Sequence, residues 1–326
     1  MFGAYYYQNE KFYIKAKEIL INELDEQILK DGAHFELSPM YHQIMLFRLL
    51  DCINLVKNNN YKDKELLSFL KEKSFLMLSW LSQITFGDGS IPLFNDSATK
   101  IAPNTNELLK YAKELDISFD KIKLYQSGYR KIKKQNYECV VDVGDIGPSY
   151  IPGHAHADTF NFELYIHDSP FIVDTGISTY EPNETRLVER STISHNTVLV
   201  QNINQSEVWG SFRVGNRASI IALNESKDKI EASHNGYSKL GLTHKRKWFF
   251  EETKLIIEDT LTNDSSGVFL LHFHPSITEE EIFKRIKSSG KIEIKEYNYA
   301  NQFNNLKKAK MLMIDFQKNI KVEILI

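Results

Sequence analysis

Residues 153–197 read GHAHADTFNFELYIHDSPFIVDTGISTYEPNETRLVERSTISHNT, and the way this stretch folds decides the architecture of the chain. Its apolar and aromatic residues come in short runs, Phe160–Ile166 and Phe171–Asp174, split by the polar turn-former His167-Asp168-Ser169-Pro170. Such runs, bounded by Asp, Ser, Asn and Pro, read as β-strands. The same stretch carries His154 and His156 two apart, Asp174 at the end of an apolar run, and His195 just before Thr197–Val200. Two imidazoles and a carboxylate suit a borderline-soft divalent ion such as zinc. Taken singly, each of these residues is equally an ordinary solvated loop residue.

A straight drawing of these strands defeats a shared metal. If His167–Pro170 is a tight hairpin turn, Asp174 falls opposite Glu163, and His156 lies roughly 23 Å further along at ~3.3 Å per residue. The ligand reading therefore requires the chain to bend between His156 and Phe160. Asp158 and Thr159 are suited to that bend, because short polar side chains bond nearby backbone groups.

Further along the chain the strand pattern continues. From Tyr129 onward, short β-branched and aromatic runs include Glu138–Val143, Lys229–Ser233, Lys245–Phe250, Lys254–Asp259, Val268–His274, Lys291–Ile294 and Lys310–Ile314. Upstream the periodicity is helical. Leu20, Leu24 and Ile28 form one stripe; Ser38-Pro39 supplies an N-cap and a first-turn proline before Leu46, Leu50, Ile53 and Val56. A third helix is predicted over 62–84 and a shorter one over Thr105–Leu115. Helices followed by strands give an α+β multidomain fold, with a helical domain over 1–125 and an antiparallel β-sandwich over 126–326.

The 326 residues are 42% hydrophobic and 25% charged with a net charge of −3, an ordinary globular balance that offers no general basic field for nucleic acid. An acidic partner would need a local basic cleft. Cys52 and Cys139 fall in separate apolar segments and make no disulfide framework. No apolar run approaches the ~18 residues of a membrane span. The start, MFGAYYYQNEKFYIK, lacks a signal-peptide pattern, which reads as cytoplasmic by default and periplasmic if a longer precursor exists. Oligomeric state is not legible.

The ordered motifs GHAHADTFNFEL, PFIVDTGISTY, RSTISHNTVLV and VWGSFRVGNRA resemble the C-terminal β-domain of the heparinase II/III-like polysaccharide lyases. The resemblance implies an α/α toroid followed by a β-sandwich, and β-elimination on uronic-acid glycans. Residue by residue, His156, Asp174 and His195 match that family's metal ligands and His154 a histidine at the edge of its catalytic cleft. The likeness extends to DGAHFELSPMYH, where Tyr41 matches the catalytic tyrosine. Elimination needs a proton donor at the leaving oxygen and a base at C5, and in the first turn of its helix Tyr41 would feel a dipole that slightly favours phenolate.

The family's carboxylate-neutralising Asn-His pair lies some fifty residues upstream of the tyrosine, which here is only residue 41. The chain thus reads as N-terminally truncated, with activity expected to be weak. Arg186 and Arg190, aligned by a helical turn between Pro182 and Ser191, are candidates to grip carboxylate or sulfate, or else pair with Glu184 and Glu189. Arg213 is a further substrate candidate. Asn95 and Asp96 line the cleft or close an Asx turn; Trp209 stacks on a sugar or fills the sandwich; His272 and His274 are read as surface residues. Two other readings stay open. One is a non-catalytic glycan-binding or scaffold remnant. The other is a cupin-like metal oxygenase, which predicts a straight strand through His154 and His156.

Overall fold

A computed structural model describes residues 1–62 and 64–326. Helices come first: α1 (Phe2–Tyr6), α2 (Glu10–Gln27), α3 (Pro39–Asn58), α4 (Glu65–Ile84) and α5 (Thr105–Glu114). The expected start of the third helix takes in Asp63, which lies outside the described residues. The Ser38 cap forms as expected, its Oγ accepting from Tyr41 N at 3.2 Å with Pro39 at the first helical position. Leu46, Leu50, Ile53 and Val56 are all fully buried.

The strands follow: β1 (Tyr129–Lys133), β2 (Tyr137–Asp142), β3 (Phe162–Ile166) and β4 (Ser169–Ile172); then helix α6 (Glu184–Glu189); then β5 (Val198–Val200), β6 (Glu207–Trp209), β7 (Arg213–Gly215), β8 (Ile220–Ser226), β9 (Lys229–His234), β10 (His244–Phe250), β11 (Lys254–Leu261) and β12 (Ser266–His272). Helix α7 (Glu279–Arg285) precedes β13 (Ile286–Ser288), β14 (Ile292–Gln302), β15 (Asn305–Gln317) and β16 (Asn319–Leu325). The principal sheets run β1-β2-β3-β4, β13-β16-β11-β10-β9-β8 and β14-β15-β12-β5, with β6-β7 as a separate ribbon. Neighbouring strands pair antiparallel throughout, so the fold is α+β with an antiparallel β-sandwich.

The first sheet is the wall that joins the two halves. Along β2 and β3 alternate residues face opposite ways. Cys139, Val141, Phe162 and Leu164 belong to the sandwich core, whereas Val140 and Tyr165 belong to the core of the helices. Glu163, on the helical face, accepts from Leu93 N at 2.7 Å. Tyr165 stacks on Phe86 with ring centroids 3.7 Å apart.

Several elements depart from the sequence reading. Strands β14 and β15 are far longer than Lys291–Ile294 and Lys310–Ile314. Their outer halves are rich in Lys, Glu and Asn, residues of low strand preference, but each supplies the other's backbone partners along the hairpin. Helix α7 was not expected, although Thr278 and Glu281 form a reciprocal capping box that the sequence carries openly.

Candidate active site

The bend required by the ligand reading is present. Residues 153–160 run as turns and loops, Asn161 N donates to Asp158 O at 2.8 Å, and Phe160 has φ +70°. For a residue with a Cβ, that left-handed conformation needs support from its surroundings. Arg246 supplies it, donating to Phe160 O at 3.0 Å and Asn196 O at 2.7 Å while Asp259 holds its other edge. No straight strand passes through His154 and His156, contrary to what the cupin-like reading predicts.

On the helical side, Ser38 Oγ caps α3 and donates to Asp96 O at 2.7 Å, docking the helix start on the 86–97 loop. Tyr41 then projects from the first turn. Its ring stacks on that of His154, centroids 4.0 Å apart and planes 30° off parallel, and its hydroxyl lies 3.3 Å from that of Tyr180. Burial raises the Tyr41 phenol, with Asp96 and Glu36 adding to the rise, so the helix-end effect that favours phenolate is overridden.

Asp96 is the hub of the site. Its two oxygens meet His154 Nδ1 and His156 Nε2, each at 2.9 Å, and both are bridged by the Arg186 guanidinium. Burial alone would raise this carboxyl, yet the histidine hydrogen bonds and the Arg186 charge hold it well below the ordinary range. An ionised Asp96 accepts only, so Nδ1 of His154 is the donor and Nε2 is the ring nitrogen turned to the cleft. His154 is 19% exposed and its Nε2 is 3.9 Å from Glu36 Oε1. Glu36, raised chiefly by burial, lies between His154 and His34. Nothing in its sequence neighbourhood marks it as a cleft residue.

Three expected substrate contacts are corrected. Arg186 and Arg190 are aligned by α6 but fully buried: Arg186 is held by Asp96, and Arg190 donates to the carbonyls of Ala155, Gly210 and Arg213. Asn95, at φ +57°, donates to Leu37 O and Tyr129 Oη and accepts from His156 N, so its side chain braces the loop. Arg213 remains exposed, next to Phe212, whose ring lies 5.8 Å from that of His154. Trp209 is 51% exposed and so not a core residue, while His272 is buried and pushed down to about 3 by that burial.

Behind the bend, His156, Asp174 and His195 are all fully buried. His195 Nδ1 meets Asp174 Oδ2 at 2.8 Å, and the His156 and His195 rings are 5.3 Å apart. Asp174 also accepts from Gly176 N and from Asn161 Nδ2. Asn161 in turn accepts from Asn196 N, and Asn196 Nδ2 holds Phe162 O and Val173 O. Among the described residues no three His, Cys, Asp or Glu side chains converge as a ready metal cage. The donor types nonetheless fit a divalent ion, and His156 Nδ1, His195 Nε2 and Asp158 Oδ2 are buried without a partner, an arrangement that calls for explanation.

Comparison with known proteins gives the family. Residues 117–310 match the model described as heparinase II/III-like, C-terminal, and residues 6–124 match the heparinase II/III N-terminus. The chain belongs to the heparinase II/III family. Family relatives include the heparin-sulfate lyases of Bacteroides stercoris, 23% identical over 78% of this chain and 40% of that protein, and of Pedobacter heparinus, 22% identical over 83% and 43%. The chain thus spans about two-fifths of the length of these curated relatives. Among solved heparinase-type structures, a heparan sulfate lyase from Pedobacter heparinus superposes with a TM-score of 0.71 at 18% identity, covering 94% of this chain and 55% of that one. At that identity the likeness establishes the fold.

Proposed function

We propose that this chain carries the proton-transfer site of a polysaccharide lyase that cleaves acidic, uronic-acid glycans by β-elimination. The observation that carries the reading is the stacked Tyr41–His154 pair, its imidazole oriented by Asp96. In the reaction a base removes the C5 proton, the C4–C5 double bond forms as the C4–O bond breaks, and the leaving oxygen takes a proton. Tyr41, kept protonated by burial, donates to the leaving oxygen; where donor and base must act from one face, Tyr41 must first give up its phenol proton, then take the C5 proton and pass it to the leaving oxygen. His154 assists through the lone pair of Nε2. A divalent ion, zinc by donor type, would be held by His156, Asp174 and His195 and would supply a rigid cross-link behind the bend, away from the reacting carbons.

A second reading, glycan binding without turnover, is supported by the engagement of Arg186 and Arg190 inside the fold. Neither is free to neutralise the substrate carboxylate, and losing one preorganised group of that kind typically costs ~10²–10³ in rate. Turnover by these 326 residues alone is therefore expected to be slow.

The test is prolonged incubation with alginate, heparan sulfate and other uronate polymers, followed by mass spectrometry of the chain ends. Unsaturated uronate ends, reduced roughly 10²- to 10⁴-fold by Tyr41→Phe, support elimination. Saturated ends, or a Tyr41→Phe variant as active as the parent, would sink it. Binding of the polymer with no cleavage after addition of the remaining helical part of a longer homologue would favour the second reading.

A further inference from the structure

A cavity of about 620 Å³ opens where the end of α4 meets the 117–124 segment, β1 and the tip of β8. None of its wall residues belongs to the Tyr41 cleft. The wall carries Lys121, Lys123, Arg130, Lys131 and Lys133 against two carboxylates, Glu138 and Glu225, an excess of positive charge in a chain whose net charge is −3. Both carboxylates are already engaged. Glu138 accepts from Lys131, Lys133 and Gly87 N, and Glu225 is gripped along one edge by Arg130. Lys121 and Lys123 are exposed and make no ion pair among the described residues.

Lys131 is the most enclosed of the five. Its side chain is 11% exposed, and its ammonium lies 4.2 Å from the centre of the Phe86 ring and donates to Thr85 O and Glu138. An ammonium has three donors, so one N–H remains. A concave wall of one charge sign focuses the field on whatever enters, and the volume suits a small ligand.

We propose that this cavity is a second binding site for an anionic saccharide, taking a sulfate or uronate group on Lys121, Lys123 and the remaining N–H of Lys131. The substrate class is shared with the lyase reading, but the site binds and does not cleave, so either inference can fail alone. A second contact of this kind would hold a polymer on the molecule between encounters with the cleft.

The experiment is lysine acetylation of the chain, read residue by residue by mass spectrometry, with and without a defined heparin-derived hexasaccharide, and with sodium sulfate as the second probe. The hexasaccharide is expected to slow labelling of Lys121 and Lys123 several-fold while exposed lysines elsewhere, such as Lys291, label unchanged. In a binding titration the Lys121→Ala/Lys123→Ala chain should bind the hexasaccharide roughly five- to tenfold more weakly. Unprotected Lys121 and Lys123, or equal affinity of the double variant and the parent, would overturn the proposal. Equal protection by sulfate at the same concentration would also overturn it, since the site would then take a lone anion.

Discussion

His154 with Asp96 and His195 with Asp174 are chemically the same pair, an imidazole Nδ1 against a carboxylate at 2.9 and 2.8 Å. They differ in what the other face of the ring meets. His154 presents Nε2 to a cleft beside a stacked tyrosine and keeps some contact with solvent. His195 is sealed, and its Nε2 finds no hydrogen-bond partner among the described residues. In the first pair the carboxylate orients a ring whose far edge faces the cleft, as the proposed proton transfer requires. In the second the geometry suits a fixed group within the fold. Asp96 reaches from the first pair toward the second, since it holds His154 with one oxygen and, with the other, His156, whose ring lies 5.3 Å from that of His195.

The largest effect is expected from Asp96→Asn. It removes the charge that balances Arg186 inside the fold, and breaking such a buried pair costs about 3–5 kcal/mol. A large drop in melting temperature with loss of any glycan cleavage is expected; calorimetry showing a drop of only a degree or two would mean that Arg186 finds another partner. Next in size is the sealed pair. One zinc per chain is expected by metal analysis of chelator-free protein, lost in His156→Ala or Asp174→Ala together with thermal stability, because forming such a site is coupled to folding. Protein that holds no metal would remove the assigned role of these three residues and leave the unpartnered His156 Nδ1 and His195 Nε2 unexplained.

A smaller effect comes from a histidine in neither pair. His42 Nδ1 accepts from His34 N and Nε2 donates to Met77 O, which fixes the neutral ring, and burial pushes it down to about 3 from 6.5. Its pKa is lower in the folded chain than in the unfolded one, so below 6.5 the unfolded state binds the extra proton. Stability should therefore fall as pH drops from about 6.5 towards 3 and stay level above. A His42→Gln variant with the same acid slope in chemical denaturation would contradict this. The smallest effect is at Arg213, which is exposed: Arg213→Ala should shift melting by less than about 0.5 kcal/mol in stability, yet raise KM for glycan a few-fold.

The sequence carried the helices with apolar stripes, the cap at Ser38, the need for a bend before Phe160 and the pairing of Tyr41 with His154. These rest on local chemistry or on ordered motifs. What it hid depends on long-range contact. Asp96 reads as a turn residue because its partners lie 58, 60 and 90 positions away. Arg186 and Arg190 read as surface cations because spacing on a helix says which side chains align, not whether their side faces inward. Glu36 lies inside DGAHFELSPMYH, but nothing in that string says its carboxylate turns toward His154.

The sheet β1–β4 has one further consequence. Val140 and Tyr165 lie in the core of the helices while their neighbours on the same strands lie in the sandwich core. A wall shared in this way leaves neither half an independent surface to retreat to. The chain should then melt as one cooperative unit, and a cavity opened at Val140 should loosen protection of backbone amides in α4 and β11 alike.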